Sequence, residues 1–286
     1  MKRCGLSIGM LIVALVQASP GQIEVGCRLA ASRLLLFEPI RATVRLANNT
    51  GHPLHFGGDN STARLGFTIE QAPGVPVFPT DRRLWDGPFT LAPGEERELT
   101  VNLLSTYQIR STGPYTIQAR AEWGEKAFLS QKVFLDVMPG LDVARLAVGL
   151  PGAAQDTRVF SLKTLTRDRT ELLFLRVDDE NSGQCLGVFD LGRIVRQFKP
   201  LIQSDGKGHV HVLHQSSPWK FTHTEMNPDG IPVNSADFSA YSTEVRFEKT
   251  PDGQLLVRGI QKPADATLFQ PPPPQMPTPA KGKKRR

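Results

Sequence analysis

Apolar and polar residues alternate with a period of two along most of this chain. Ile40, Ala42, Val44 and Leu46 are interleaved with Arg41, Thr43 and Arg45. Ile23, Val25, Cys27 and Leu29 form a similar series, as do Leu65, Phe67 and Ile69, then Leu99, Val101 and Leu103. Tyr115, Ile117, Ala119 and Ala121 follow, and after them Val133, Leu135 and Val137. Successive side chains of a strand point to opposite faces, so this spacing predicts half-buried strands. Turn residues separate the series at Asn48-Asn49-Thr50-Gly51, Gly57-Gly58-Asp59-Asn60 and Pro93-Gly94, where their backbones tolerate or preset a tight reversal. No long stretch carries a helical period. The pattern predicts an all-β protein whose residues 22–138 form a sandwich of two sheets.

The segment MPGLDVARLAVGLPG, residues 138–152, has Pro-Gly near both ends and reads as a boundary, so residues 139–154 are expected to link two domains. Beyond it, residues 159–164, 171–177, 186–191 and 194–198 read as four strands in series. Asp-Gly then recurs at Asp205-Gly206, Asp229-Gly230 and Asp252-Gly253, between short apolar runs. Regular turns between paired strands predict repeated antiparallel hairpins over residues 155–262. Residues 263–286 end in QPPPPQMPTPAKGKKRR, which has no apolar period. Their composition predicts a disordered, proline-rich basic tail.

Two stretches carry resemblances. TGPYTIQARAEW, residues 112–123, resembles the penultimate strand of immunoglobulin-like domains, with Tyr115 at the corner position and Ile117 at the inward position two residues later. LAPGEERELTVNL, residues 91–103, is similar to the segment before that corner in bacterial secreted sandwiches. The likeness implies an immunoglobulin-like sandwich without the inter-sheet disulfide, because Ile117 stands where antibody-type domains place cysteine. SDGKGHVHVLHQSSPWKFTHTEMNPDG, residues 204–230, resembles blades of sialidase-like β-propellers. That likeness implies a small propeller-like antiparallel hairpin domain. Residues 155–262 hold material for two to three blades, too little to close a ring.

Charge and targeting refine this picture. The formal net charge is +6, but Lys2 and Arg3 at one end and Lys281, Lys283, Lys284, Arg285 and Arg286 at the other account for the excess. The chain between them is close to neutral, which argues against a broad basic face for specific nucleic-acid binding. Only the tail is suited to contact anionic surfaces. Residues 1–18 combine the basic start with an apolar run over residues 6–16 and small residues at Val16 and Ala18. This is the pattern of a signal peptide cleaved after Ala18, and the run is too short to span a bilayer. The expected location is secreted or periplasmic, with no transmembrane segment. Gly5-Leu6-Ser7-Ile8-Gly9 falls inside this leader, so it is not read as a hydrolase nucleophile elbow. Cys27 and Cys185 remain, one per expected domain. Export permits a bridge between them, and sequence leaves the pairing open.

The densest chemistry lies in GHVHVLHQ, residues 208–215, which holds three of six histidines. On a strand, His209 and His211 share a face with Leu213, while His214 shares the other with Val210 and Val212. The next predicted strand offers His223 and Glu225. In a hairpin, His209, His211, His223 and Glu225 would share one face, a donor set suited to zinc or copper. The competing reading is a polar strand face without metal. The acidic turn at residues 178–183 lacks calcium-loop spacing and reads as a hairpin end. No phosphate-binding or dinucleotide motif occurs. Trp219, beside Pro218 near a turn, could stack on a sugar or belong to a core. Residues 74–87 form a long loop that a protease-inhibitor reading would use. The expected function is a non-enzymatic binding or scaffolding protein without cofactor, its partner an envelope protein or a polysaccharide. The alternative is a metal-dependent hydrolase or oxidoreductase built on His209, His211, His223 and Glu225.

Overall fold

The computed structural model describes residues 22–72, 74–150, 153–239 and 245–261. The expected signal peptide (residues 1–18) and basic tail (residues 263–286) lie outside the described residues. The chain is all-β, and none of its sheets closes into a barrel. It divides into two compact units. The described part of the first comprises residues 22–34 and 39–137; the second takes Leu35–Glu38 and the residues from Met138 on.

The first unit carries β1 (Ile23–Leu29), β2 (Arg33–Leu35), β3 (Arg41–Asn48), β4 (Leu54–Phe56), β5 (Ala63–Gln71), β6 (Val75–Pro76), β7 (Phe89–Leu91) and β8 (Glu96–Asn102). A helical turn α1 (Leu103–Thr106) precedes β9 (Gly113–Trp123), β10 (Lys126–Leu129) and β11 (Val133–Met138). One sheet runs β1-β3-β8 and the other β2-β11-β9-β5-β4-β7, with β10 on β9 and β6 on β5. Apart from one parallel pair, Phe56 with Ala63, the registered ladders are antiparallel. The alternation sorts inside from outside. Ala42, Val44 and Leu46 are buried while Arg41 and Arg45 are exposed, and Leu65, Phe67 and Ile69 are buried opposite Ala121, Ala119 and Ile117. Tyr115 is buried, and its hydroxyl donates to the Ser111 carbonyl at 2.8 Å. This bond ties β9 to the turn that precedes it. Tyr115→Phe is expected to destabilise the first unit by about 1 kcal/mol in urea denaturation, the usual net worth of one such bond.

The second unit carries β12 (Leu141–Leu150), β13 (Ala153–Arg167), β14 (Thr170–Asp179), β15 (Cys185–Arg193), β16 (Leu201–Ser204), β17 (Val210–Ser217), β18 (Lys220–Met226), β19 (Pro232–Ser239), β20 (Arg246–Lys249), β21 (Leu255–Arg258) and β22 (Ile260–Gln261). They form a four-stranded sheet β12-β13-β14-β15, a five-stranded sheet β16-β17-β18-β19-β22 and the hairpin β20-β21. The five-stranded sheet is the middle layer. Val210, Val212 and Met226 on one face pack with Phe160, Leu162, Leu173, Leu175 and Val177 of the four-stranded sheet. Leu213, Phe221 and Phe238 on the other pack with Val245, Phe247 and Val257 at the hairpin.

Four expectations change. Residues 139–154 do not form a linker: Leu141–Leu150 is an edge strand, and Ala144, Leu146 and Val148 along one of its faces pack on the core. Residues 194–198 are not a strand. Ile194 and Val195 donate their N–H groups to Glu171 and Gln215, on two different sheets, so this segment is the crossover between them. Leu35–Glu38, expected within the sandwich, belongs to the second unit, where Leu35 packs with Leu165, Phe174 and Val188. The repeat is also offset from the Asp-Gly pairs. The equivalent turns are Asp205-Gly206-Lys207-Gly208-His209, Asn227-Pro228-Asp229-Gly230-Ile231 and Thr250-Pro251-Asp252-Gly253-Gln254. In each, the first residue's N–H donates to the fifth carbonyl and the fourth N–H to the first carbonyl. The first side chain accepts from the fifth N–H. The fourth residue is always glycine, at φ 82, 81 and 83°, a left-handed conformation that other residues adopt at a cost.

Candidate functional site

Strands β17 and β18 pair with His211 opposite Glu225, Leu213 opposite His223 and His214 opposite Thr222. His211, His223 and Glu225 therefore face the β20-β21 hairpin, and His214 faces the four-stranded sheet beside Val212. His209 stands at the entry to β17. The four side chains proposed as metal ligands meet in two pairs. His209 Nδ1 lies 2.6 Å from Glu225 Oε1, and His211 Nδ1 lies 3.0 Å from His223 Nε2. The His211 and His223 rings are within 4° of parallel, with centroids 5.3 Å apart. That separation is little more than the nitrogen–nitrogen distance plus the reach from each ring centre to its nitrogen. The two imidazoles lie end to end in one plane, sharing a hydrogen bond.

This geometry does not suit zinc or copper. A metal needs lone pairs converging on one point at about 2 Å, whereas these nitrogens aim at each other and His209 is taken by Glu225. Among the described residues no group of three or more His, Cys, Asp or Glu side chains is disposed to hold a metal ion. The polar-face alternative describes only part of the face: the His209 and Glu225 side chains are 30% and 23% exposed, and the other two are buried. His211 and His223 are 4% and 7% exposed. Phe247 of the hairpin lies edge-on to both rings, at 6.2 and 6.0 Å.

Asp205, to which the sequence reading gave no chemical role, completes the array. Its Oδ1 accepts the N–H groups of Lys207 and His209, which fixes the carboxylate at the turn. Its Oδ2 lies 3.7 Å from His211 Nε2, a buried nitrogen with no hydrogen-bond partner. We assign the N–H of His211 to Nε2, facing the carboxylate, so that His223 Nε2–H donates to His211 Nδ1. Burial holds His211 below its ordinary pKa against the pull of Glu225 and Asp205, and pushes His223 down to about 4. His214 is 1% exposed, neither ring nitrogen has a well-placed hydrogen-bond partner, and burial lowers it to about 4.

A cleft of about 580 Å³ opens beside this array. Leu213, Phe221 and Val245 line its inner wall; Phe198, Leu201, Pro218 and Trp219 line the rest, with Gln197, Lys199 and Arg246 as its polar members. Trp219 is 56% and Phe198 52% exposed, and the Phe198 and Phe221 rings pack at 5.6 Å. Trp219 is thus a surface ring. Phe198, Lys199 and Arg246 went unrecognised because the crossover and hairpin that bring them together are distant in sequence. The other candidates carry less. Both Cys27 and Cys185 are free thiols, each raised to about 11 by burial. In the acidic turn Asp178 pairs with Arg176, and Asp179 pairs with Arg158 and accepts from Ser182, as a hairpin end would. No helix among the described residues is long and apolar enough to cross a membrane.

No protein-family model matches the chain, and no curated protein sequence matches it. Among solved structures it is similar to Spo0M, a sporulation control protein from Bacillus subtilis, at 12% identity over 60% of this chain and 91% of that one, with a TM-score of 0.27. It is similar to the periplasmic chaperone SfaE at 13% identity over 73% and 97%, with a TM-score of 0.22. A DUF4784 family protein from Bacteroides caccae matches at 6% identity over 82% and 84%, also with a TM-score of 0.22. None of these likenesses bears on function.

Proposed function

We propose that this chain is an exported, non-enzymatic binding protein that holds an acidic polysaccharide in the aromatic cleft of its second unit. The observation that carries the reading is the cleft itself, with Trp219 and Phe198 half exposed at its surface and Lys199 and Arg246 as the charged residues among its described lining. Binding sites are concave and mostly apolar, with a few polar groups that fix orientation. The C–H faces of a sugar ring are apolar and flat, and they match an exposed indole or phenyl ring. Carboxylate or sulfate groups on the same chain would meet Lys199, which is exposed, with an attraction that is screened by salt. Sequence contributes the location, through the leader pattern that ends at Ala18. The immunoglobulin-like and propeller-like resemblances fit the same reading, since both architectures present loops and hairpin ends to partners.

Affinity electrophoresis through gels containing alginate, dextran sulfate or uncharged dextran tests it. The expected result is retardation by the two anionic polymers, weakened by salt and reduced at least tenfold in apparent affinity by Trp219→Ala. Equal mobility of wild type and Trp219→Ala in every gel would remove the cleft from consideration.

A further inference from the structure

The cleft and the buried histidines share a wall. Val245, just before β20, and Arg246, its first residue, line the cleft, and Phe247, the next residue, covers His211 and His223. The β20-β21 hairpin has two ladder-paired strands of four residues each. A hairpin of that size is marginal by itself, so its position depends on what it packs against. Among the described residues these contacts include Leu213, Phe221, Phe238 and Ala236 beneath it, one bond between turns, from the Gly206 N–H to the Gly253 carbonyl at 2.9 Å, and the pairing of β22, one residue after β21, with β19. Gly206 follows Asp205, the carboxylate that faces His211. The polar array under the hairpin is thereby joined to the first two of these anchorages.

We propose that the Asp205–His211–His223 array is an acid-sensitive latch: protonation of the two imidazoles releases the β20-β21 hairpin and so discharges the ligand from the adjoining cleft. This rests on the cleft being the binding site. The neutral pair shares one proton along its axis. Adding a proton to each ring sets N–H against N–H across a 3.0 Å gap and places two like charges in a closed pocket. The groups facing the pair offset this only in part. Asp205, in the turn before β17, and Glu225 on β18, bonded to His209, both favour a charged His211, and burial outweighs them. β16 offers the neutral Gln203 opposite His211, and β19 offers Ala236 and Asn234. The hairpin offers Phe247 and Val257, and Lys249, two residues beyond Phe247, is exposed. Burial is the main force holding both rings neutral, and lifting the hairpin admits the water that a charged ring requires. A ligand bound only in the closed state is released in proportion to the closed population lost.

Two measurements on the full chain test the latch. The first needs no ligand: amide hydrogen exchange at pH 7.5 and 5.0, corrected for the intrinsic rate. Protection of β20 and β21 is expected to fall about tenfold or more at pH 5.0 through an opening that leaves β13 and β14 closed, so that the β13 and β14 amides, which follow global stability, remain the slower set. In His223→Gln, which keeps a donor toward His211 and does not titrate, the hairpin should stay protected. Unchanged hairpin protection in the wild type, or hairpin amides that exchange no faster than those of β13 and β14 at pH 5.0, would overturn the latch. The second is binding to dextran sulfate, whose charge is constant over this range. Wild type should weaken about tenfold from pH 7.5 to 5.0, within the usual span of such couplings, and His223→Gln less than twofold. Binding that ignores pH overturns the latch and leaves the cleft reading standing. Absence of binding at both pH values defeats the cleft reading, and the exchange data then judge the latch alone.

Discussion

Lowering the pH from 7.5 to 5.0 is expected to cost the second unit about 2 kcal/mol of unfolding free energy through His214 alone. Its ring is held near 4 in the folded chain, against an ordinary value of 6.5. A group whose folded pKa is depressed in this way binds its proton more readily when unfolded. Its contribution is therefore complete above about pH 6.5, falls as the pH drops toward 4, and levels off below that. At pH 5.0 the unfolded ring is almost fully charged while its folded counterpart is almost neutral, a difference worth about 2 kcal/mol. Glu171 and Asp205 also lose stability on acidification, at lower pH, because both carboxylates are held down in the folded state. Glu38 has the opposite sign, being raised by burial. Native-state exchange of the slowest β13 and β14 amides measures the total. His214→Leu, which replaces a ring without well-placed partners by an apolar side chain of similar size, should remove about 2 kcal/mol of the loss between pH 7.5 and 5.0. An undiminished slope in that variant would show that His214 is charged or solvated in the folded state.

Arg167→Ala is expected to destabilise the second unit by about 3–5 kcal/mol. Arg167 Nη2 donates to both carboxylate oxygens of Glu38, at 2.9 and 2.7 Å, and the guanidinium lies 5.7 Å from the Phe174 ring centre. Glu38 also accepts the Leu35 N–H at 2.9 Å, and both side chains are largely buried. Removing the arginine leaves a carboxylate in a poorly solvated site, whereas replacing the pair together removes both charges. Urea denaturation should therefore show Glu38→Gln combined with Arg167→Met to be milder than Arg167→Ala alone. A loss of under 1 kcal/mol for Arg167→Ala would mean that Glu38 reaches water when its partner is gone.

The half-buried strands were readable because alternation is a local property. Arg41 to Leu46 carries its inside and outside within six residues. The same alternation runs through Ala144, Leu146 and Val148, but the Pro-Gly pairs around them suggested a linker. Gly140 shows why one of those pairs does not mark a free segment. At φ 70° its Cα packs so closely that a Cβ there would fall 2.5 Å from Leu35 Cδ1. The excursion of Leu35–Glu38 has no periodic signature, since Leu34, Leu35, Leu36 and Phe37 form an unbroken apolar run. At the candidate site, pairing of β17 with β18 followed from the short Ser216 to Trp219 connection. The roof did not, because nothing local to Phe247 says which sheet its hairpin will cover. Without that roof, the histidines read as ligands or as a wet face, and neither reading anticipates two buried rings sharing a proton.

The most direct test of the central claim is a titration of isotopically labelled protein with a sulfated dextran oligosaccharide at pH 7.5, followed by backbone amide and indole shifts. The account predicts that the changes gather at residues 197–201, 218–221 and 245–247, with the Trp219 indole moving furthest. Shifts confined to the first unit, for instance at Arg82, Arg83 and Trp85, or none at saturating oligosaccharide, would contradict it.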